Sequence, residues 1–476
     1  MINFSDHKSA ASPLRFFEEI TAIPRGSGNT KGIADYLVKF AEDRGLSYIR
    51  DGVDNVIISK PATAGYEGKP GVIIQGHTDI VAEKLPECDI DMTKEGPRMY
   101  RDGDLLRARG TTLGADDGVA IAYALAVLDS SDISHPDFEA VFTVDEEVGL
   151  TGAKMLSADA VKGRMLINID SDAEGVLTVG CAGGIRADIR MPVYSEDTEG
   201  DYYRLSIYGL RGGHSGVDIN KGRANSLKLL GKMLSHIERK IRLVSIVGGS
   251  ADNAIPRDAT AVFLATKKLG TPEKKAFDKM LAELNDEGDA EYILERIEDK
   301  KSYPTLGDYS TGEVIALLNE MPSGVIKMSE DIEGLVQTSL NMGVARLTED
   351  LFALSFSVRS SKGEERDEVV EKLREIAEGH RAECTTRNGY PAWEYRKDSP
   401  LREVMKRVYR ELYGSEAKVI IIHAGLECGI LSEKLEGLDA VSMGPNASGV
   451  HTPDEALSIS SFERTWEYIK NLLKNL

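Results

Sequence analysis

Three short apolar segments that end in acidic or imidazole side chains place the strongest constraint on how this chain folds. The runs 71–76 (GVIIQG), 138–144 (FEAVFTV) and 165–169 (MLINI) are followed at once by HTD, DEE and DSD, respectively. Short runs rich in β-branched residues are typical of buried strands. Helical patterns at 116–129 and 150–157 lie between the later runs. Strands that alternate with helices predict an α/β domain with a mixed, largely parallel sheet flanked by helices.

The middle of the chain has a different pattern, which predicts a second domain. After the glycine-rich piece GCAGG the sequence shows alternating strands at 185–193 and 202–210, a long helix at about 221–239 and a charged helical stretch at 272–300. After Pro400 the helix–strand alternation returns, with KVIIIHAG between two helical patterns. We therefore predict one α/β domain built from 1–185 and 399–476, interrupted by an α+β insertion at 186–398.

The composition is that of an ordinary globular protein, and it narrows the range of partners. The chain has 476 residues. A single hydrophobic core usually supports fewer residues than this, so two or three domains are expected. Hydrophobic residues make up 41% and charged residues 29%. The formal net charge of -20 argues against nucleic acid and anionic membrane surfaces as partners.

Other features of the sequence indicate a cytoplasmic location. The first twenty residues are polar and lack the apolar core of a signal peptide. The longest apolar run, 119–128, is too short to span a bilayer. The four cysteines are far apart and form no CxxC pair, which fits a reducing compartment.

The first candidate for chemistry follows the run 71–76. His77 and Asp79 stand two residues apart, so on a strand they share a face and can touch. A carboxylate that holds the second nitrogen of a metal-bound imidazole fixes its tautomer and raises its basicity. For an isolated pair of this kind, a hydrogen-bonded core histidine is the alternative interpretation.

The second candidate is the segment RGTTLGADDG, in which glycines stand on both sides of Asp116 and Asp117. This frame predicts a tight, unusual backbone that presents one carboxylate at the start of the following helix. Helix capping by aspartate is the alternative. Capping explains one aspartate and leaves the pair and its glycines unexplained.

Three further polar residues lie at or just beyond predicted strand ends: Glu147, Asp170 and His451. Binding sites of open α/β sheets lie beyond the carboxyl ends of the strands. Carboxylate and imidazole ligands without thiolates suit a hydrolytic zinc, manganese or cobalt centre rather than a structural zinc finger.

Eight motifs give the chain a family resemblance that extends from about residue 10 to 475. They are GHTD, RGTTLGADDG, DEEVGLTGA, INIDSDAEG, GGHSG, DNAIPR, HAGLECG and MGPNASGVHTPDE. Their order resembles that of the dinuclear zinc peptidases of the aminoacylase/carboxypeptidase G clan. The subgroup they most resemble is the aminoacyl-histidine dipeptidases, also called cytosolic non-specific or carnosine-cleaving dipeptidases.

The resemblance implies a role for each residue of the candidate centre. Two divalent metal ions are expected, zinc in the first place, with cobalt or manganese as alternatives. One ion is bound by His77 and Asp170 and the other by Glu147 and His451, while Asp116 bridges them, Asp79 orients His77 and Glu146 is the general base. Three ligating carboxylates leave two divalent ions one net positive charge, which helps to ionise a bridging water. A fourth carboxylate would cancel that charge, so Glu146 is not assigned as a ligand.

Adjacent residues of a regular strand point in opposite directions, so Glu146 and Glu147 cannot both face one site from a straight strand. We therefore predict that the strand breaks before them, with Gly149 allowing the turn. Asp145 is expected to serve only as a turn residue or as an acid behind the ligands.

The resemblance also assigns substrate-binding residues to the insertion and to the segment that follows it. His214 is the candidate donor to the oxyanion, and Arg359 is a candidate clamp for the terminal carboxylate of the substrate. Asn253 is expected to hold the substrate, and His423, with Glu427, to line the pocket. The alternatives are a turn-shaping role for His214, a surface ion pair for Arg359, and helix capping for His423 and Glu427.

The sequence thus predicts a cytoplasmic dinuclear metallo-dipeptidase that hydrolyses Xaa-His and other dipeptides, with the insertion acting as a lid. The alternatives within the clan are a tripeptide aminopeptidase and an N-acyl amino acid deacylase. A non-catalytic peptide-binding protein is the alternative from another class. The resemblance further implies a homodimer formed through the lid, although a lid of this size could supply the same groups within one chain.

Overall fold

The computed structural model describes residues 2–284, 289–298, 302–330, 332 and 334–476. The chain forms two compact units. The first comprises Met1–Cys181, Trp393–Ile421 and Leu426–Leu476, and the second comprises Ala182–Ala392 and Ile422–Gly425. These divisions lie a few residues from the expected boundaries at 185 and 399. The sequence analysis did not foresee that Ile422–Gly425 belongs to the second unit.

The strands are numbered in chain order. The first part of the chain forms β1 (Ser47–Arg50), β2 (Val56–Lys60), β3 (Val72–His77), β4 (Met99–Asp102), β5 (Leu105–Ala108), β6 (Phe138–Thr143), β7 (Met165–Asn168) and β8 (Val176–Cys181). The middle part forms β9 (Gly183–Pro192), β10 (Ser195–Thr198), β11 (Tyr202–Tyr208), β12 (Gly213–His214), β13 (Ile241–Gly248), β14 (Ala254–Ile255), β15 (Ala259–Ala265), β16 (Glu291–Arg296), β17 (Tyr303–Leu306), β18 (Gly324–Met328), β19 (Val336–Leu347), β20 (Leu351–Ser360) and β21 (Glu383–Tyr390). The last part forms β22 (Lys418–Ile422), β23 (Asp439–Ser442), β24 (Ala447–Ser448) and β25 (Ala456–Ser458).

The α-helices are likewise numbered in chain order. They are α1 (Ala11–Thr21), α2 (Lys31–Asp43), α3 (Ala115–Asp129), α4 (Thr151–Met155), α5 (Ser226–Ile237), α6 (Thr271–Ala282), α7 (Asp308–Glu320), α8 (Gly363–Gly379), α9 (Pro400–Tyr413), α10 (Glu427–Lys434) and α11 (Ile459–Asn475). Short 3-10 helices occur at Lys8–Ala10, Ala158–Ala160, Ile219–Lys221 and Glu238–Lys240.

The first unit is built on an eight-stranded sheet in the order β1-β2-β6-β3-β7-β23-β8-β22. Its four central strands run parallel, because β3 pairs in parallel with β6 and β7, and β7 pairs in parallel with β23. Strands β1 and β2 are antiparallel to their neighbours, as is β8 to β23. The sheet is therefore mixed with a parallel centre, as the sequence predicted.

Helix α3 anchors the candidate site in the core of the first unit. Its apolar run from Val119 to Leu128 is buried throughout. Tyr123 stacks on Phe462 of α11, with 4.4 Å between the ring centroids, and its hydroxyl donates to the Phe462 carbonyl at 2.8 Å. Because the body of α3 is fixed in this way, its N-terminal turn carries Asp116 on a rigid support.

The second unit is an α+β structure around a nine-stranded antiparallel sheet. The strand order is β16-β11-β15-β13-β19-β20-β9-β21, and β18 pairs with β19. Helices α5 and α7 pack together and contribute Leu230, Leu234, Val314 and Leu318 to a buried apolar cluster. The α+β pattern predicted for the insertion is thus present in the structure.

One local prediction is wrong. The charged stretch at 272–300 is not one helix. Helix α6 ends at Ala282, and Glu291–Arg296 forms the edge strand β16, while 285–288 and 299–301 lie outside the described residues. Alternating apolar residues at Tyr292 and Leu294 pack onto the core of this unit and favour the strand.

Candidate active site

The parallel centre of the first sheet brings three predicted ligands to one edge. His77 is the last residue of β3, and Asp170 lies two residues beyond β7. Glu147 lies four residues beyond β6. Because β3 pairs in parallel with both β6 and β7, all three strands end on the same side of the sheet. This is the edge at which open α/β sheets bind ligands.

The strand before the acidic triplet ends where the sequence predicted a break. Strand β6 stops at Thr143, Asp145 takes a positive φ of 53°, and Gly149 takes a φ of 125°. The backbone therefore leaves the regular alternation before Glu146 and Glu147. Asp145 accepts a hydrogen bond from the Gly28 N–H at 2.6 Å, which fits the turn role expected of it.

The segment before α3 has the unusual backbone that its glycines predicted. Gly114 is left-handed with a φ of 79°, and a Cβ there would lie only 2.8 Å from Arg25 Nη2. Asp116 and Asp117 have non-helical angles within the first turn, and the peptide between them is cis. Asp117 Oδ1 accepts from the Ala120 N–H at 3.4 Å, so capping of α3 describes Asp117, whereas the two oxygens of Asp116 face histidines.

His451 reaches the site from a loop beyond β24. Its φ of 66° is left-handed, a conformation that non-glycine residues seldom adopt outside turns and functional sites. The following turn is closed by hydrogen bonds from the Thr452 N–H and hydroxyl to the Gly449 carbonyl, at 3.1 and 2.6 Å. These bonds stabilise the turn that presents this imidazole.

The five predicted ligands form two groups that share Asp116. In the first group, His77 Nε2 lies 2.9 Å from Asp116 Oδ1 and 3.9 Å from Asp170 Oδ1. In the second, His451 Nε2 lies 3.1 Å from Asp116 Oδ2 and 2.8 Å from Glu147 Oε1. Donor atoms within each group lie within 4.8 Å of one another. The two oxygens of Asp116 thus face different histidines.

The donor atoms fit a pair of divalent cations. Glu147 Oε1 is buried and has no hydrogen-bond partner, although His451 Nε2 approaches it closely. A buried carboxylate oxygen without a donor costs free energy unless a positive charge satisfies it. Three carboxylates converge on two imidazoles, a hard-oxygen and nitrogen set that suits zinc, manganese or cobalt.

Asp79 holds His77 from behind. His77 Nδ1 lies 3.1 Å from the Asp79 carbonyl and 3.5 Å from its Oδ1 atom. The carboxylate also accepts from the Ser27 hydroxyl at 2.8 Å and from the Glu146 N–H at 3.0 Å. Burial raises the pKa of Asp79, but these bonds outweigh it and leave the pKa below its ordinary value. Asp79 therefore links the first imidazole to the segment that carries Glu146.

Glu146 is partly buried and sits among other acids. In the protein alone, burial raises its pKa to about 8; His77 opposes the shift, and the nearby charges of Glu427, Glu147 and Asp116 add to it. Donor atoms of Glu146, His77 and Glu147 lie within 4.8 Å of one another. This proximity places the Glu146 carboxyl beside the candidate ligands, where a proton-transferring group is required.

Glu427 belongs to a buried network that the sequence analysis did not foresee. Its Oε2 atom accepts from Gln75 Nε2 and from the Thr143 hydroxyl, both at 2.6 Å. Although Glu427 is the first residue of α10, its side chain makes no capping bond there. Helix capping is therefore the wrong interpretation of Glu427. Its bonds tie the ends of β3 and β6 together beneath the site.

Arg25 and Glu455 also contribute to the site, although the sequence analysis gave them no role, and Asp117 contributes a contact beyond the helix capping considered for one of the two aspartates. Asp117 Oδ2 accepts from the His77 N–H at 3.2 Å, and a Cβ at Gly76 would lie 2.1 Å from this oxygen. Arg25 and Glu455 bind the backbone around Asp116. The glycines of GHTD and ADDG were the available signal, since they mark close approach of other groups to the backbone.

In the second unit, His214 lies on the two-residue strand β12, which pairs with β14. Its Nδ1 atom accepts from the N–H groups of Gly216 and Val217 at 3.2 and 3.3 Å. The proton of the neutral ring is therefore on Nε2. Burial and the charge of Arg359 lower the pKa of His214 and keep it neutral. These contacts show that His214 shapes a turn, and its role as a donor to an oxyanion stays a prediction.

Arg359 and His423 lie together in the second unit. Arg359 pairs in register with Ser339, whose hydroxyl lies 2.7 Å from His423 Nε2. Burial and the charges of Arg359 and His214 lower the pKa of His423 to about 4. The Asn253 carbonyl accepts from the Ser215 N–H at 2.8 Å, which connects Asn253 to the His214 segment. The structure thus gathers His214, Arg359, His423 and Asn253 within one unit.

The surface ion pair considered for Arg359 is wrong. The residue is only 5% exposed, its Nη1 atom donates to the Tyr390 hydroxyl at 3.1 Å, and its buried Nε has no hydrogen-bond partner. No carboxylate of the described residues is within ion-pair distance of it. Helix capping by His423 is also wrong, because α10 begins four residues later with Leu426 as its N-cap. A buried cation without a counter-ion is a candidate anion-binding group.

The fold and the acidic centre define a metallopeptidase. The family model "Peptidase family M20/M25/M40" matches residues 73–475, and the chain belongs to this family. The cytosol non-specific dipeptidase of Escherichia coli (strain K12) is 36% identical over 471 residues, covering 97% of this chain and 96% of that relative. The crystal structure of an aminoacylhistidine dipeptidase from Vibrio alginolyticus has a TM-score of 0.90 at 37% identity, covering 98% of this chain and 96% of its own.

These similarities confirm the family resemblance and the class of peptide hydrolase inferred from the motifs. A tripeptidase from Staphylococcus aureus has a TM-score of 0.57 at 17% identity, covering 100% of this chain and 98% of its own, which shows a shared fold alone. Among the described residues, no helix combines the length and apolar character needed to cross a membrane.

Proposed function

We propose that this chain is a dinuclear-metal dipeptidase that hydrolyses the peptide bond of Xaa-His and other dipeptides in the cytosol. The observation that carries the proposal is the division of five ligands into two groups that share the two oxygens of Asp116. The similarity to two dipeptidases along nearly the whole chain supports the substrate class. The name of the Escherichia coli relative supports the location.

In this proposal His77 and Asp170 would hold one divalent ion, Glu147 and His451 would hold the other, and Asp116 would be their shared ligand. When bound, the two ions supply positive charge that polarises the scissile carbonyl and makes water more acidic. Zinc is the expected metal, and cobalt or manganese would suit the same ligands. Asp79 keeps the His77 Nδ1 proton engaged so that Nε2 is free to act as a ligand.

Glu146 performs the proton transfers. It takes a proton from the attacking water and returns it to the amine that leaves when the peptide bond breaks. Its raised pKa in the protein alone results from burial among acids, and nearby cations would bring that pKa back down. At neutral pH the carboxylate is then ionised and ready to accept the proton.

The second unit supplies the groups that bind the substrate. His214 is neutral with its proton on Nε2, so it can donate to the oxygen that becomes negative as water adds to the carbonyl. Arg359 has a buried cation and a free Nε–H, which suits the terminal carboxylate of a dipeptide. Asn253 and His423 lie beside these two residues and complete the proposed binding group.

We also propose that the chain forms a homodimer through the second unit, which acts as a lid. Val217, next to the His214 turn, is 68% exposed, and Val247 on the central sheet is 51% exposed. Single exposed apolar side chains are common on monomers, so the proposal rests on the family resemblance, and these two valines are positions that a dimer contact would cover. Analytical ultracentrifugation at micromolar protein would give the mass of two chains, and a single-chain mass would overturn this part of the proposal.

A panel of substrates tests the proposed reaction. Purified protein loaded with zinc is assayed with Xaa-His dipeptides, other dipeptides, tripeptides and N-acyl amino acids at equal concentration. Hydrolysis of dipeptides at the highest kcat/KM is the expected result. Hydrolysis of tripeptides or of N-acyl amino acids, with no hydrolysis of any dipeptide, would assign one of the other activities of the clan. Binding of dipeptides without turnover would identify a non-catalytic peptide-binding protein.

A further inference from the structure

Arg25 is a fully buried arginine that binds two of the segments carrying metal ligands. The residue lies between α1 and α2 and is 1% exposed. Its Nη1 atom donates to the Thr78 carbonyl at 3.0 Å, directly after His77. Its Nη2 atom donates to the Gly114 carbonyl at 2.6 Å, two residues before Asp116. One guanidinium group therefore connects the segment after His77 to the segment before Asp116.

The carboxylate of Glu455 accepts hydrogen bonds from backbone N–H groups of the segment 113–116. It is 2% exposed and lies four residues after His451. Its Oε2 atom accepts from the N–H groups of Leu113 and Gly114 at 2.7 and 2.9 Å. Its Oε1 atom accepts from the N–H groups of Ala115 and Asp116 at 2.8 and 3.4 Å. A carboxylate at this place also stabilises the start of α3, because the N-terminus of a helix attracts negative charge.

The sequence leaves room for this arrangement. A Cβ at Gly114 would lie 2.8 Å from Arg25 Nη2, and a Cβ at Gly118 would lie 2.6 Å from the same atom. Burial lowers the pKa of Arg25 to about 10, although the nearby charges of Glu455 and Asp79 act in the opposite direction. The guanidinium thus stays charged at neutral pH. It donates to the backbone carbonyls of Thr78 and Gly114 and, at 3.4 Å, to that of Asp79.

We propose that Arg25 and Glu455 are positioning residues that hold the backbone of 113–116 through its carbonyl and N–H groups, so that Asp116 offers one oxygen to each metal ion. The inference rests on the metal centre of the proposed function. Asp116 Oδ1 faces His77 and Oδ2 faces His451, and this geometry tolerates little rotation of the residue. Because Glu455 belongs to the same loop as His451, it also connects the ligand of the second group to the shared aspartate.

Zinc binding to metal-free protein tests this proposal without reference to activity. Arg25→Gln and Glu455→Gln are titrated with Zn²⁺ in competition with a chromophoric chelator, and thermal unfolding of the metal-free forms is recorded in parallel. Loss of a residue that orients a ligand typically lowers metal affinity about 10–100-fold. We expect a loss of this size for both variants, with the affinities for the two ions falling together because Asp116 contacts both.

The chain offers a matched control for each variant within the same unit. Arg402 is a buried arginine that donates to the carbonyls of Arg396 and Lys397, at 2.7 and 2.6 Å. Glu139 is a buried glutamate that accepts from the N–H groups of Lys162 and Gly163, at 3.0 and 2.7 Å. Arg402→Gln and Glu139→Gln remove equivalent bonds away from the ligand segments. They are expected to lower the unfolding temperature and to leave zinc affinity within about threefold of wild type.

Equal zinc affinity in the test and control variants at matched unfolding temperature would overturn the proposal. If Arg25→Gln or Glu455→Gln does not fold, Arg25→Lys and Glu455→Asp replace them. In Arg25→Lys the single ammonium group cannot donate to both carbonyls as the planar guanidinium does. In Glu455→Asp the shorter side chain accepts from fewer N–H groups. Partial losses of zinc affinity are therefore expected. Wild-type protein that binds two zinc ions but cleaves no dipeptide would refute the proposed function and leave this inference standing. Wild-type protein that binds no zinc would refute both.

Discussion

His451 Nε2 lies 2.8 Å from Glu147 Oε1, and that oxygen has no hydrogen-bond partner. The two residues stand far apart in the sequence and belong to the same unit. A close nitrogen–oxygen approach without a hydrogen bond is expected where both atoms are directed at a common cation. The relationship supports the assignment of these two residues to the second metal ion.

The two ligand groups predict different metal contents for different variants. His451→Ala and Asp170→Ala each remove a ligand of one ion only, so about one metal ion per chain should remain. Asp116→Ala removes the shared ligand and should leave fewer than one. Elemental analysis of dialysed protein measures these contents. The assignment would be contradicted if Asp116→Ala retained two metal ions, or if His451→Ala and Asp170→Ala both retained no metal ion.

Glu146→Gln separates proton transfer from metal binding. The amide keeps the size of the side chain but cannot accept a proton, so kcat should fall by about 10²–10⁴. Metal content should stay near two, because Glu146 is not among the proposed ligands. Dipeptide hydrolysis with a kcat close to wild type would show that another group is the base. Circular dichroism of the variant provides the control for folding.

Arg359→Met tests the proposed clamp on the substrate carboxylate. A charge-assisted hydrogen bond contributes about 1.5–3 kcal/mol, so KM for a free dipeptide should rise about 10–100-fold. The C-terminal amide of the same dipeptide lacks the carboxylate, and its KM should change less than about threefold. Arg204→Met, which removes an exposed arginine paired with Glu295 in the same unit, is the control for the loss of one positive charge. Equal losses for the free acid and the amide would refute the clamp.

Glu365 gives the stability of the second unit a dependence on pH. Burial raises the pKa of its carboxyl, but bonds from Lys327, Thr338 and Gln337 outweigh burial and lower that pKa to about 2. A lowered folded-state pKa means that the carboxylate stabilises the fold above its ordinary pKa and that this contribution is lost as the pH falls toward 2.

Glu365→Gln should therefore destabilise the protein by about 1–3 kcal/mol at pH 7 and by less at pH 3. Urea unfolding at the two pH values measures the free energy of unfolding of wild type and variant. Glu368→Gln, an exposed position on the same helix, should have no measurable effect at either pH. An effect of Glu365→Gln that grows as the pH falls would contradict the sign of the pKa shift.

Sequence patterns anticipated which polar side chains stand at the ends of the parallel strands. His77 and Asp170 come at the ends of apolar runs whose parallel pairing brings them to one edge of the sheet, whereas their role as ligands came from the family resemblance. The break before Glu146 could be predicted because two adjacent acids cannot face one site from a regular strand. His451 was assigned through the family resemblance, since its loop has no strand pattern of its own.

The groups behind the ligands could not be predicted from local patterns. Arg25 acts through contacts with residues far away in the sequence, and nothing in its own neighbourhood distinguishes it from a surface charge. Glu427 and Glu455 lie in motifs of the family resemblance, but those motifs do not show which distant groups the two carboxylates bind. The edge strand Glu291–Arg296 has only a weak alternation of apolar and charged side chains, so its sequence also fits a charged helix. In each case tertiary contacts, which a single sequence does not display, decide the outcome.

Dipeptide hydrolysis measured while zinc is added to metal-free protein tests the central claim most directly. Metal-free protein should be inactive, and the rate should rise with added zinc and level off at two equivalents per chain, because both ligand groups must be filled. Protein that hydrolyses dipeptides at full rate without metal, or that cleaves none with two equivalents bound, would contradict the account.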